Sequence, residues 1–374
     1  MTSEKKYTVS YPRRRFIRAI MRIVFRILLR ILFRIRIVGR KNFPKDRPLL
    51  LIGNHVGAIE AVLMAVFTPW QIEMLGARDL PMEAIVETIE GLYGYIPIHR
   101  GVVDRSALRQ CLGVLEQGGR LSVFPEGGTW EPGAMRAQTG VSWLSYRGKA
   151  PVLPVAFSGT FGALDKALKF KRPRLTMRIG ELIPAAKLPD NQARKPYLQE
   201  YANQVMEAVK ALLPPDNPSV RPNVESERFE LEIKLQAPDG TPRSVPPELE
   251  IQHPDKLVKL LHRPSILTIF DADLDLPIDA IQNLHTIPSA LEIAKAAQLI
   301  VEVLESKYPY LLVYRYGAQE AEKMKHGMME LLSLAQWVSE EKLILKVVPI
   351  RRYCLTETEE EIVQIEQEKY GAWI

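Results

Sequence analysis

From residue 49 to residue 213, short apolar runs alternate with longer helix-like stretches. A chain patterned in this way is held to layers of helix over sheet, assembled largely from βαβ units. The runs at 49–53, 72–75, 95–98, 121–125, 151–157 and 175–179 read as strands. Helices are predicted over 58–67, from Pro81 onward, over 141–146 and over 199–213. Asp104 is a good N-cap for a helix that places Leu108, Cys111, Leu112 and Leu115 on one face, and Gly118-Gly119 stops it. The fold class is therefore α/β, with a mostly parallel or mixed sheet flanked by helices. In such sheets, sites form at the carboxyl ends of strands. The residues just after each strand carry the functional information.

This pattern ends in Pro214, Pro215, Pro218 and Pro222, which read as a linker over 214–227. Beyond it, Phe229, Leu231, Ile233 and Leu235 alternate with Glu230, Glu232, Lys234 and Gln236, a half-buried strand. Strand-like runs follow at 266–270, 310–314 and 344–350, and helix-like stretches at 288–306, 317–339 and 356–368. Residues 228–374 are expected to form a second, smaller α/β or α+β domain of unknown role, after a first domain over 46–213. A length of 374 residues, 47% hydrophobic and 25% charged, agrees with two globular domains and excludes a disordered chain. Two cysteines, Cys111 and Cys354, cannot build a disulfide framework or a four-cysteine zinc site. The six histidines include no pair at metal-ligand spacing, so no metal is expected. Of these, His253, His262, His285 and His326 read as structural or surface residues.

The first 45 residues are different in kind. They carry 14 Lys and Arg against a single acid, Glu4, while the whole chain is only +6. Arg18, Arg22, Arg26, Arg30 and Arg34 recur every fourth residue with only Ile, Leu, Val, Phe, Met and Ala between them. At 3.6 residues per turn such a row winds slowly around a helix and leaves a broad apolar face beside it. The apolar stretches between arginines are too short for a membrane span or a signal-peptide core. Nucleic-acid arms seldom interleave so many bulky aliphatics, so no nucleic acid is expected. A calmodulin-target-like or partner-docking helix shares the pattern. The best match is a helix lying in the membrane interface, with its apolar face in the acyl boundary and its arginines among anionic headgroups. The chain is accordingly expected on the cytoplasmic side of a membrane, peripheral or monotopic.

Three signals stand at strand ends. Asn54-His55 follows the run at 49–53, and Glu60 comes five residues after the histidine. The two side chains can meet only with His55 in a loop and Glu60 in the first turn of the next helix. There the carboxylate would orient the ring and raise its basicity, leaving the other nitrogen to take a proton. Next, 95–98 delivers Arg100, a residue suited to bidentate capture of phosphate or carboxylate. Last, 121–125 runs into Glu126-Gly127-Gly128-Thr129, where glycines let the backbone approach a ligand and turn N–H groups on an anion. Singly, each has a plain structural reading: a hydrogen-bonded histidine, a surface arginine, a βα turn.

In order and spacing these signals resemble the glycerolipid acyltransferases of the lysophosphatidic acid acyltransferase type. That family carries Asn-His-x-x-x-x-Asp, Gly-x-Ile-x-Val-x-Arg, Phe-Pro-Glu-Gly-Thr-Arg and a Pro-Val-x-Pro-Val strand. Here they stand as Asn54 to Glu60, Gly94 to Arg100, Phe124 to Thr129 and Pro151 to Val155, within about residues 35–213. The resemblance implies an acyltransferase domain over 46–213 behind the basic segment 1–45. It implies that His55 is a general base oriented by Glu60 and acting on a lipid hydroxyl. The hydroxyl attacks an acyl thioester carried by acyl-CoA or an acyl carrier protein, a co-substrate rather than a bound cofactor. Asn54, Arg100, Glu126, Gly127, Gly128 and Thr129 are implied to bind the lysolipid acceptor. Two positions depart from the pattern: Glu60 replaces Asp, and the motif's Arg is absent, since Gly128-Thr129-Trp130 stands where Thr-Arg-Ser is usual, with Arg136 or Arg147 as candidate substitutes. The alternatives are a non-catalytic lipid-binding or scaffold protein on a degenerate fold, and a thioesterase using water in place of the alcohol.

Overall fold

The computed structural model describes residues 9–45, 48–55, 57, 59–77, 84–99, 103–125, 138–188, 193–215, 217, 224–261, 267, 281, 289–309, 311–355 and 361–364. These fall into two compact units, 9–217 and 224–364.

The first unit is built on seven strands: β1 (Arg34–Val38), β2 (Leu49–Gly53), β3 (Glu73–Ala77), β4 (Ile96–Ile98), β5 (Arg120–Val123), β6 (Val152–Ser158) and β7 (Arg174–Ile179). They lie in the order β1-β7-β6-β2-β5-β3-β4. From β6 to β4 neighbouring strands are parallel. β7 runs antiparallel to β6, and β1 is parallel to β7. The helices are α1 (Arg15–Leu32), α2 (Ile59–Phe67), α3 (Ala84–Tyr93), α4 (Arg105–Glu116), α5 (Gly140–Gly148), α6 (Ala163–Leu168) and α7 (Arg194–Lys210).

Strand β2 is central and wholly buried, as a strand covered on both faces must be. Leu50 and Ile52 join one core with residues of α4, α5 and α7. Leu49 and Leu51 join the other, with Leu29 of α1, Leu63 and Met64 of α2 and Ala163 and Ala167 of α6. Asp104 caps α4 as its sequence suggests, accepting from the Ser106 and Ala107 backbone N–H groups at 3.0 and 2.9 Å. Gly118 then takes φ +72°, and the Gly118 and Gly119 N–H groups donate to Leu115 and Val114 carbonyls, closing the helix end.

Helix α1 forms where its periodicity places it, but the arginine stripe points the other way from the expectation. Arg18 is fully buried. It donates to both carboxylate oxygens of Glu73 at 2.6 and 2.8 Å and to the Tyr93 and Gly94 carbonyls at 2.9 and 2.7 Å. Its guanidinium also lies 4.4 Å from the Tyr93 ring centre. Arg14 donates to the Gly91 and Leu92 carbonyls, Arg22 to Thr68 and Arg26 to Val66. The arginines thus satisfy carbonyls at the carboxyl ends of α3 and α2. Those groups have no partner inside their own helices, and the helix dipole makes them negative. The apolar face is the outer one: Phe16 is 77% exposed, Ile31 61% and Ile23 60%.

The second unit is α+β. Strands β8 (Val224–Gln236), β9 (Pro242–Arg243), β10 (Ile344–Leu355) and β11 (Glu361–Gln364) form an antiparallel sheet in the order β11-β10-β8-β9. Its helices are Pro254–Leu261, Ala290–Glu302, Leu311–Tyr316 and Ala318–Glu340. Two expectations change here. The run at 310–314, expected as a strand, contributes to the helix Leu311–Tyr316, with Leu311 and Leu312 buried. A short apolar run carries no decisive period, and tertiary packing decided. The stretch 356–368, expected as a helix, contains β11, paired with Arg351–Cys354 of β10. The run expected at 266–270 lies outside the described residues except for Leu267.

Candidate active site

The site begins at the carboxyl end of β2. Gly53 ends the strand where a Cβ would stand 3.0 Å from the Phe157 ring and 3.1 Å from the Val155 carbonyl oxygen, so the close approach of β2 to β6 favours glycine. Asn54 is fully buried. Its Nδ2 donates to the Phe157 carbonyl at 3.0 Å and its Oδ1 accepts from the Phe157 N–H at 2.8 Å. Expected as an acceptor ligand, this amide instead fastens the turn after β2 to β6 and so fixes where the next residue stands.

That residue is His55, in the loop, with Glu60 in the first turn of α2. Their side chains meet as the five-residue spacing requires, with His55 Nδ1 3.4 Å from Glu60 Oε2. This is ion-pair range, longer than the roughly 2.7–3.2 Å of a formed hydrogen bond, and catalytic pairs commonly tighten when substrate is bound. Glu60 is fully buried, and its Oε2 also accepts from the Gly57 N–H at 3.0 Å. The carboxylate is therefore held by the loop it orients.

Phe124, the residue after β5, stacks on the His55 ring with centres 4.3 Å apart and planes 19° from parallel. Strands β2 and β5 are parallel neighbours, so their carboxyl ends bring the two rings together. The sequence reading assigned Phe124 no role beyond its place in a motif. Its position after a strand adjacent to β2 is the signal that marks it as the packing partner of the histidine ring.

Glu126, Gly127, Gly128 and Thr129, with Trp130 and Arg136, lie outside the described residues, as does Arg100. Their approaches are described. Pro125 follows Phe124, and its carbonyl accepts from the Gln138 N–H at 3.1 Å, which pins the two ends of the glutamate-glycine segment together. β4 leads toward Arg100, and the His99 N–H donates to Asp104 Oδ2 at 3.2 Å. Arg147 is described, on an exposed position of α5. Burial pushes the Cys111 thiol up to about 12, so it supplies no thiolate at neutral pH.

Comparison with known proteins bears on this arrangement. The acyltransferase family model matches residues 34–158, from β1 to the end of β6. The curated 1-acyl-sn-glycerol-3-phosphate acyltransferase of Bacillus subtilis (strain 168) is 22% identical over 148 residues, which are 39% of this chain and 72% of that protein. The crystal structure of the 1-acyl-sn-glycerophosphate (LPA) acyltransferase PlsC from Thermotoga maritima is 19% identical. It covers 53% of this chain and 81% of its own, with a TM-score of 0.39.

Proposed function

This chain belongs to the glycerolipid acyltransferase family as an O-acyltransferase, and we propose that it moves a fatty acyl group from a thioester donor to a hydroxyl of a lysophospholipid at a membrane surface. The observation that carries the reading is the His55–Glu60 pair, 3.4 Å apart at the end of the central strand, within the matched segment. Nδ1 faces the buried carboxylate, so Nε2 is the nitrogen left to take a proton from the acceptor hydroxyl. As the proton leaves, the oxygen attacks the acyl carbonyl and the thiolate departs. The carboxylate stabilises the imidazolium formed meanwhile, and the proton is then available to the leaving sulfur. No covalent acyl-enzyme is needed, which the high pKa of Cys111 supports.

Asn54 is a positioning residue in this scheme, and Phe124 holds the plane of the ring. Arg100, Glu126, Gly127, Gly128 and Thr129 would bind the acceptor's phosphate-bearing head. The thioester carrier is acyl-CoA or an acyl carrier protein. Membrane attachment through the outer face of α1 is supported by its exposed isoleucines. No helix among the described residues is long and apolar enough to cross a membrane.

The test is acyl transfer by the full chain on liposomes, with labelled acyl-CoA and acyl carrier protein offered against a panel of lysolipids. His55→Ala is expected to lower kcat by about 10²–10⁴ while the variant stays folded. Glu60→Asp should retain activity if α2 can shift its start. A fully active His55→Ala would overturn the mechanism, and lipid binding without turnover in the wild type would favour a binding protein.

A further inference from the structure

A groove of about 600 Å³ lies between α1 and the carboxyl end of α2. That size is within the roughly 300–1,000 Å³ of small-molecule sites. Four arginines line it: Arg22, Arg26 and Arg30 from successive turns of α1, and Arg40 from the short helical turn after β1. No Asp or Glu is among its lining residues. Among the described residues, none of the four arginines forms an ion pair with a carboxylate.

Part of this charge has a structural reason. Arg22 and Arg26 each donate to a carbonyl at the end of α2. A helix end offers only about half an elementary charge, however, and four arginines line the groove beside it. Arg30 stands 5.6 Å from the Phe67 ring centre without donating to α2, and Arg40 arrives from outside α1 altogether. The pKa of Arg22 is held below its ordinary value by burial and by the neighbouring Arg26, as expected where like charges lack a counter-ion.

We propose that this groove is a second ligand site, which takes the phosphate of an anionic phospholipid headgroup. A lipid is favoured over a soluble phosphate because Ile23, which lines the groove, is also 60% exposed on the outer apolar face of α1. The groove therefore opens beside the surface that, on the reading above, rests on the acyl chains. A headgroup held there keeps its tails along Ile20, Ile23 and Ile27 while its phosphate meets a guanidinium fork. The site is separate from the catalytic pair. His55 and Glu60 stand at the start of α2 and the groove at its end, about 12 Å apart at 1.5 Å per residue.

The experiment uses the full chain and Arg30→Gln/Arg40→Gln, two positions that donate no hydrogen bond to α2, with thermal melting to show that the variant is folded. The soluble probe is dihexanoyl phosphatidylglycerol below its micelle concentration, titrated beside inorganic phosphate. Saturable binding to wild type, weakened roughly 10–30-fold in the variant, is the expected result, since each arginine near a lipid surface contributes about 1 kcal/mol. Absent binding, or equal affinity in the two proteins, overturns the proposal. Inorganic phosphate binding as tightly as the lipid overturns the lipid assignment. Sedimentation with phosphatidylcholine vesicles, with and without phosphatidylglycerol, then separates the two claims. If the short lipid binds through the arginines but no vesicle is bound, the groove stands and the membrane-surface reading fails.

Discussion

In α1 the arginines face the protein and the isoleucines face out. In β8 the arrangement is the reverse: Leu235 is buried, Phe229, Leu231 and Ile233 are half-buried, and Glu232, Lys234 and Gln236 are exposed. Both segments are two-faced in sequence, and the period of each correctly gives its secondary structure. The difference lies in what meets the polar face. Beside α1 stand the unpaired carbonyl ends of α2 and α3 and the buried carboxylate of Glu73, all of which require donors. The polar face of β8 meets water and the cross-strand charge of β10, where Arg352 pairs with Glu230 at the surface. A period divides a segment into two faces; the partners decide which face goes inward.

The largest expected effect is at the inward charge. Glu73→Ala leaves Arg18 buried without its counter-ion, a change that costs about 3–5 kcal/mol. Urea unfolding followed by fluorescence measures it, and a loss under 1 kcal/mol would mean that α1 is held by its apolar contacts alone. The same pair sets a pH dependence. Burial pushes the Glu73 carboxyl up, but the hydrogen bonds from Arg18 and Arg13 outweigh it and hold it below its ordinary 4.5. A depressed folded-state pKa means that the stabilisation is present above 4.5 and is lost as pH falls through the lower folded value. Glu73→Gln should flatten that acid limb, whereas an unchanged limb would assign it to other carboxylates.

The outward isoleucines come next. Ile20→Asp with Ile27→Asp should weaken binding to phosphatidylcholine vesicles by at least about 100-fold, since each fully buried aliphatic is worth roughly 1.5–3 kcal/mol. Both residues are exposed, so the melting temperature should hardly change. Ile233→Asp in β8 is the opposite case. It should destabilise the second unit by about 1–3 kcal/mol and leave vesicle binding unaltered. If both variants only lost stability, the outer face of α1 would be an internal contact surface rather than a membrane one.

The same logic explains what was legible in the sequence. The strands and helices of the first unit could be read because each carries its own period and its own stops, as with Asp104 and Gly118 around α4. The His55–Glu60 pair was legible because one loop and one helical turn determine it. The direction of the Arg18 side chain was not, since Glu73 lies 55 positions away and is only a polar residue in a strand-like run. Asn54 looked like a ligand because the sequence does not show that Phe157 will stand opposite it. In the second unit, Leu311–Tyr316 and Glu361–Gln364 are too short to carry a decisive period, so packing and pairing settled them.

The smallest effect closes the comparison. Glu230→Ala removes the surface partner of Arg352, whose Nε lies 3.0 Å from the carboxylate. Both side chains are in contact with water, 28% and 42% exposed, so the pair gains little Coulomb energy and loses side-chain freedom. The expected loss is under about 1 kcal/mol and should shrink further as salt rises. Glu73→Ala should be nearly insensitive to salt, because its partner is enclosed. Urea midpoints at low and high sodium chloride for the two variants give the contrast directly. If Glu230→Ala cost as much as Glu73→Ala, or proved as indifferent to salt, burial could not be what separates the inward charges of α1 from the outward charges of β8.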